Sequence, residues 1–386
     1  MQTREILDRL IAFPSVFTAE AYAGVTDYAI SLLAPLGVTC HRLEAPGGGR
    51  AGLFASTGPA GPGGIMLSAH LDVVPTAGQP WSSDPFVATE RDGRIYGRGT
   101  SDMKGFASAA IRAMAEASRR PLGKPLKLAL SYDEEAGCVG IAEMAGALDR
   151  TIGLPELCIV GEPTSMRIVN GHKGKVSLRV RFTGSAGHSA SAPDHVNALH
   201  LACDFIGALR DLQQEIAEKG RKAEGYAVPY STVHVGNLSG GDALNMIPEA
   251  ATLEFEIRHI AAEDLDALLG RISRAAAKIA DDAAQRRPEA SVKIKEFNRY
   301  PGFDMDSRAA IDFLVGIGGK RPEGKVDYGT DGGVIADLGV QVLVCGPGDI
   351  ARAHRADEYI KATELDQCDA FLSRVLDTLE IGSPLP

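Results

Sequence analysis

The chain has no apolar run approaching the roughly 20 residues a helix needs to cross a bilayer, which disfavours a membrane-spanning protein. It has no basic excess either: 40 Lys and Arg stand against 50 Asp and Glu, a formal net charge of −10. Nucleic-acid binding usually rests on a basic stripe, so no nucleic-acid partner is expected. The six cysteines, Cys40, Cys138, Cys158, Cys203, Cys345 and Cys368, form no CxxC pair and no regular spacing. They read as reduced, mostly buried thiols of a cytosolic protein, and a cysteine-based zinc site is not expected. The opening MQTREILDRLIAF carries charges throughout and lacks the apolar stretch of a secretory signal. It reads as an amphipathic helix, and the expected location is cytoplasmic. No internal repeat is visible.

What remains is an ordinary globular composition, 45% hydrophobic and 23% charged, in a chain too long for one ordinary core. Two domains are expected. GGIMLSAH (63–70), LKLALSYDEE (126–135), LCIVGEP (157–163) and VLVCGPG (342–348) are continuous apolar runs that end in turns or acidic residues. Such runs suit strands buried on both faces, and the helical pattern of KGFASAAIRAMAEASRR (104–120) lies between two of them. This alternation predicts an α/β domain with a mixed, mainly parallel sheet. The middle of the chain alternates differently: VSLRVRF (176–182), the long helix 197–219, STVHVGNL (231–238), ATLEFEIR (251–258), the helix 263–284 and SVKIKEF (291–297). The order β-α-β-β-α-β is a ferredoxin-like α+β unit. It is placed at 177–298, inserted into a domain formed by 1–176 and 299–386. The Gly/Pro-rich stretch 45–64 reads as two turns around a short strand.

Chemistry-bearing residues gather at predicted strand ends, where open α/β sheets form their sites. His70-Leu71-Asp72 follows the first run. In extended chain, residues two apart face the same way, so Asp72 is expected to orient the His70 ring and raise its basicity as a metal ligand. Asp102 sits in GRGTSDMKG, where it reads either as a helix cap or as a carboxylate bridging two cations. Asp133-Glu134-Glu135 is either a solvated acidic loop or a run whose repulsion cations offset. Glu162 and His354 complete the set, and each alone also has an ordinary structural reading.

Together HLD (70–72), WSSDPF (81–86), IYGRGTSDMKG (95–105), DEEAG (133–137), GEPT (161–164), GHKG (171–174), GHSA (187–190), NMIP (245–248) and AHRADEYI (353–360) resemble the M20 metallopeptidase family, in order, over nearly the whole chain. GHKGKVSLRVRFTGSAGHSA (171–190), YGTDGG (328–333) and CGPGDIARAHRADEYI (345–360) are most similar to its acetylornithine deacetylase branch. The resemblance implies a zinc-peptidase-like catalytic domain with an inserted lid and dimerisation domain, and two Zn2+ per subunit, for which Co2+ could substitute. His70, Asp102 and Glu162 would hold one metal, and Asp102, Glu135 and His354 the other. Asp72 would support His70, and Glu134 would be the general base. His188 would reach the active site of the partner subunit in a homodimer. Asn245, Arg258, Gly329 and Thr330 would contact substrate. GTDGG (329–333) departs from the acidic residue followed by Ala of close relatives, a change that bears on fine specificity.

The expected activity is amide hydrolysis releasing an acyl group from an N-acyl amino acid, with N2-acetyl-L-ornithine, in arginine biosynthesis, as the leading substrate. Succinyl-diaminopimelate desuccinylase and broad aminoacylase activities are the alternatives. A non-catalytic binding protein would be expected to have lost a ligand or the base, and all are present. His41, His172, His195, His200, His234 and His259 read as surface or structural residues.

Overall fold

A computed structural model describes residues 1–381 and 385. Two compact units make up the chain: Met1–His172 with Phe303–Pro386, and Lys173–Gly302.

The first unit is built on a six-stranded sheet in the order Thr39–Glu44, Ala51–Thr57, Leu126–Ser131, Ile65–His70, Leu157–Pro163, Gln341–Gly346. The first two junctions are antiparallel and the remaining three parallel. The parallel strands are buried almost throughout, as their unbroken apolar runs require when layers cover both faces. The helix Lys104–Ala117 packs against strands Ile65–His70 and Leu126–Ser131 and against the helices Thr3–Ile11 and Ala362–Ile381. Its Gly, Ala and Ser positions let it lie close, and nearly every residue in it is buried. At Gly161 a Cβ would stand 1.9 Å from the Phe106 ring, so only glycine lets the Leu157–Pro163 strand pass the helix and deliver Glu162 at its end.

The second unit is a four-stranded antiparallel sheet in the order Thr232–Gly240, Ala250–His259, Gly174–Thr183, Ser291–Tyr300. Helices Ala198–Lys219 and Leu265–Ala284 complete the β-α-β-β-α-β order that the alternation predicts. Every second residue of Ala250–His259 is buried. Leu253, Phe255 and Ile257 pack with Val176, Val180, Phe182, Phe205 and Ile272 in one core. A further pair of two-residue strands, Gly187–His188 with Met246–Ile247, is too short to show any period in sequence. Among the described residues no helix is long and apolar enough to cross a membrane.

Candidate active site

Within the first unit, three parallel-strand ends and the loops beside them converge. Ile65–His70 ends on His70, Leu126–Ser131 leads into Asp133-Glu134-Glu135, and Leu157–Pro163 carries Glu162. Asp102 comes from the loop before the Lys104–Ala117 helix, and His354 from the loop after Gln341–Gly346. His354 takes a positive φ of 63° there, a conformation that side chains adopt at a cost and that recurs at functional sites.

Two sets of donor atoms result, and they share Asp102. His70 Nε2 lies 3.1 Å from Asp102 Oδ1 and 3.9 Å from Glu162 Oε1. His354 Nε2 lies 3.2 Å from Asp102 Oδ2 and 3.0 Å from Glu135 Oε1. Within each set the ligand atoms are all within 4.8 Å of one another. A tetrahedral ion with legs of about 2.0–2.1 Å has edges of about 3.3 Å, so both sets fit a divalent cation. Asp102 turns one oxygen to each.

The electrostatics agree with that fit. Asp72, Asp102, Glu134, Glu135, Glu162 and Asp331 bring six carboxylates to this region. Burial, then repulsion from neighbouring acids, pushes Glu134 and Glu162 well above the usual carboxylate range, though the charge of His70 draws both down. Burial disfavours charge on His70, yet its hydrogen bond to Asp102 and the nearby negative charge of Asp72 hold its pKa well above normal. His354 is lifted to about 10, first by its hydrogen bond to Asp102 and then by that to Glu135. Such a cluster carries an excess of acid that cations relieve.

The supports around the donors are largely backbone. His70 Nδ1 donates to the Asp72 carbonyl at 2.9 Å, which keeps a proton on Nδ1 and would let Nε2 exchange its proton for a metal. The Asp72 carboxylate stands farther off, 3.6 Å from Nδ1. It accepts instead from the Glu134 and Glu135 amides at 3.1 and 3.0 Å, so it fixes the acidic turn. Asp133 is also structural: it accepts from Tyr22 Oη and Arg50 Nη1, each at 2.5 Å. Glu358 Oε1 accepts from the amides of Ser101 and Asp102 at 2.9 and 3.0 Å. Its other oxygen takes Arg98 Nη1 at 2.6 Å in a fully buried ion pair. Arg98 Nη2 reaches Gln79 Oε1 at 2.6 Å, and Gln79 Nε2 donates to the His354 carbonyl at 3.0 Å. One chain of contacts therefore ties the backbones of Asp102 and His354 together.

Gly329 and Thr330 belong to this unit. Thr330 is fully buried; its amide donates to His172 Nε2 at 3.2 Å and its hydroxyl accepts from Gly332 N at 2.9 Å. His172 packs edge-on against Phe303, which agrees with its structural reading. His188, Asn245 and Arg258 lie in the second unit. His188 is exposed and pairs with Met246, and the neighbouring Ser189 amide donates to the Asn245 carbonyl at 3.0 Å. Arg258 donates to Tyr300 Oη at 2.8 Å and Glu256 Oε1 at 3.0 Å. Sequence reasoning missed Gln79, Arg98, Glu358, Cys138 and the side chain of Asp331. The motifs IYGRGTSDMKG, AHRADEYI and GTDGG contain three of them, but no spacing singles them out.

Fold and site together define a metallohydrolase. The sequence model of Peptidase family M20/M25/M40 matches residues 66–378, and the chain belongs to that family. Similar solved structures include the M20 family metallo-carboxypeptidase Sso-CP2 from Sulfolobus solfataricus, with a TM-score of 0.77 and 19% identity over 99% of this chain and 100% of that one. A tripeptidase from Staphylococcus aureus gives 0.75 and 17% identity over 98% and 97%. The Bacillus subtilis YXEP protein, a dinuclear metal binding peptidase from the M20 family, gives 0.69 and 16% identity over 98% of each chain. At these identities the likeness is one of fold.

Proposed function

We propose that the protein is a two-metal amidohydrolase that cleaves the acyl–nitrogen bond of an N-acyl amino acid, with N2-acetyl-L-ornithine the leading substrate. The observation that carries the metal-dependent chemistry is the pair of donor sets joined by Asp102, with Glu134 beside them. When bound, two divalent cations, zinc by this reading, would supply Lewis acidity to both water and the scissile carbonyl. His70, Asp102 and Glu162 would hold one, and Asp102, Glu135 and His354 the other.

Glu134 takes the proton of the attacking water on a carboxylate oxygen and returns it to the departing nitrogen. Burial, the first cause, holds its carboxyl well above the usual carboxylate range, which favours its keeping the proton taken from water until the nitrogen departs. Asp72 keeps Glu134 and Glu135 in register through their amides. From the sequence resemblance, His188 donates to the developing oxyanion in the partner subunit of a homodimer. By the same resemblance Arg258 would take a substrate carboxylate, and Asn245, Gly329 and Thr330 would contact substrate, Thr330 through its backbone position. The unpaired state of all six cysteines supports a cytoplasmic setting.

The substrate assignment rests on the motif resemblance. Peptide cleavage is the competing reading, because similar folds include human carnosine dipeptidase 1 and the yeast dipeptidase Dug1p. Zinc-loaded enzyme assayed against acetylornithine, succinyl-diaminopimelate, acetylmethionine and a simple dipeptide decides between them. The highest kcat/KM is expected for acetylornithine, and a dipeptide turned over faster than every acyl amino acid overturns the assignment.

A further inference from the structure

Beside the two donor sets lies a third group whose chemistry differs. Glu134, Cys138 and Asp331 each offer one ligand atom, and the three atoms lie within 4.8 Å of one another. The turn after the acidic run brings the sulfur there: the amides of Gly137 and Cys138 both donate to the Glu134 carbonyl, at 2.7 and 2.8 Å. The Cys138 thiol then donates to Glu134 Oε1, with Sγ 3.5 Å from that oxygen. A tetrahedral cation with a sulfur leg of about 2.3 Å and an oxygen leg of about 2.0 Å spans that edge at about 3.5 Å.

Asp331 supplies an independent sign of a ligand. Ser131 Oγ donates to its Oδ2 at 2.5 Å, but its Oδ1 is buried and has no hydrogen-bond partner. The residue as a whole is 2% exposed. A carboxylate oxygen left bare in such a place is costly unless something pairs with it. The charge inventory points the same way. Two dications supply four positive charges against the six carboxylates, and both oxygens of Asp72 accept backbone amides. Glu134 and Asp331 are the carboxylates left over, and they belong to this third group.

We propose that Glu134, Cys138 and Asp331 form a third, inhibitory site for a thiophilic divalent cation of the zinc, cobalt or cadmium class. The sulfur selects against magnesium and calcium, which take oxygen ligands. Binding breaks the Cys138 S–H bond, forms a sulfur–metal bond and releases the proton to water. Occupancy engages the Glu134 carboxylate, so excess metal silences the base while the first two ions stay in place. The inhibitory part rests on the assignment of Glu134 as base; the site itself does not.

The test is a cobalt titration of the enzyme already holding two equivalents, followed by absorbance, bound metal and activity. A third equivalent should bring a sulfur-to-cobalt charge-transfer band in the near ultraviolet, which His and carboxylate ligands do not give, and activity should fall in step. Cys138→Ser should lose the band, the third equivalent and the inhibition, each judged against that variant's own state at two equivalents. Cys203→Ser, at the exposed cysteine, should keep the band and the third equivalent. Asp331→Asn should weaken the third equivalent at least tenfold and carries the test if Cys138→Ser does not fold. Absence of the band at excess cobalt, its survival in Cys138→Ser, or a third equivalent bound equally well by Asp331→Asn overturns the site. A band with a third equivalent but undiminished activity upholds the site and overturns its inhibitory role, and with it the assignment of the base.

Discussion

The two compact units differ in how many charged residues they bury. In the first, His70, Asp72, Asp102, Glu162, Asp331, Arg98, Lys104 and Glu358 are all buried, and most sit around one site. In the second, the ion pairs Arg179–Glu254, Arg271–Glu215 and Arg299–Glu296 lie on the surface. Burial makes each of those charges in the first unit dependent on the polar groups packed against it. Exposure lets solvent screen those of the second, so each pair there contributes little. The same kind of substitution should therefore have effects of quite different size in the two units.

The largest effect is expected at Glu134. Glu134→Gln should lower kcat by roughly 10²–10⁴ or more, the range for lost acid–base help, while bound metal is retained. Steady-state kinetics on metal-replete protein measures this, and near wild-type kcat would defeat the role. Next is Glu358→Gln, which leaves the buried Arg98 without its counter-charge. Loss of such a partner costs about 3–5 kcal/mol, and loosening the support of Asp102 should weaken metal binding about 10–100-fold. Denaturant unfolding and metal-competition titration read the two parts separately. Unchanged metal affinity would show that the contacts to the Ser101 and Asp102 amides do not position the ligand.

The protein stripped of metal by a chelator should respond to pH with a definite sign. His354 binds its proton more tightly folded, at about 10, than at its ordinary 6.5. Its contribution to stability is complete below about pH 6.5 and is lost as pH rises toward about 10. Burial holds Glu134 and Glu162 above their ordinary 4.5, so ionising them on raising the pH works in the same direction. The thermal midpoint of the stripped protein should fall from pH 6.5 to pH 9, and zinc should flatten the trend. A midpoint that rises across this window without metal would contradict the electrostatic account.

The smallest effects belong to the second unit. Glu254→Ala breaks the exposed pair with Arg179 and should change stability by less than about 1 kcal/mol. Asn197 accepts from the Leu199 amide at 2.8 Å to cap the long helix, and Asn197→Ala should cost about 1 kcal/mol. Chemical denaturation checks both, and a loss above about 3 kcal/mol from Glu254→Ala would remove the contrast between the units.

The same contrast governs what the sequence discloses. The apolar runs and their polar ends made the parallel strands visible, and with them His70, Glu134, Glu135, Glu162 and His354, because strand ends recur at regular places in an α/β chain. Asp72 shows where that reasoning stops. Period-two alternation put its side chain beside the His70 ring, but the strand ends at His70. Beyond it the chain turns, so the carbonyl holds the ring and the carboxylate holds the acidic turn. Arg98 and Glu358 are separated by 260 residues, and no local pattern marks a pair that only the folded chain brings together. The short strands at His188 and Met246 were hidden because two residues carry no period.

Metal stoichiometry tests the central claim most directly. Wild type and His354→Ala would be equilibrated at a free zinc concentration low enough to fill only tight sites, and bound metal measured by elemental analysis. The account predicts two equivalents for the wild type and one for His354→Ala, because Asp102 and Glu135 alone leave the second set short of a ligand. A single equivalent in the wild type, or two in the variant, would contradict it.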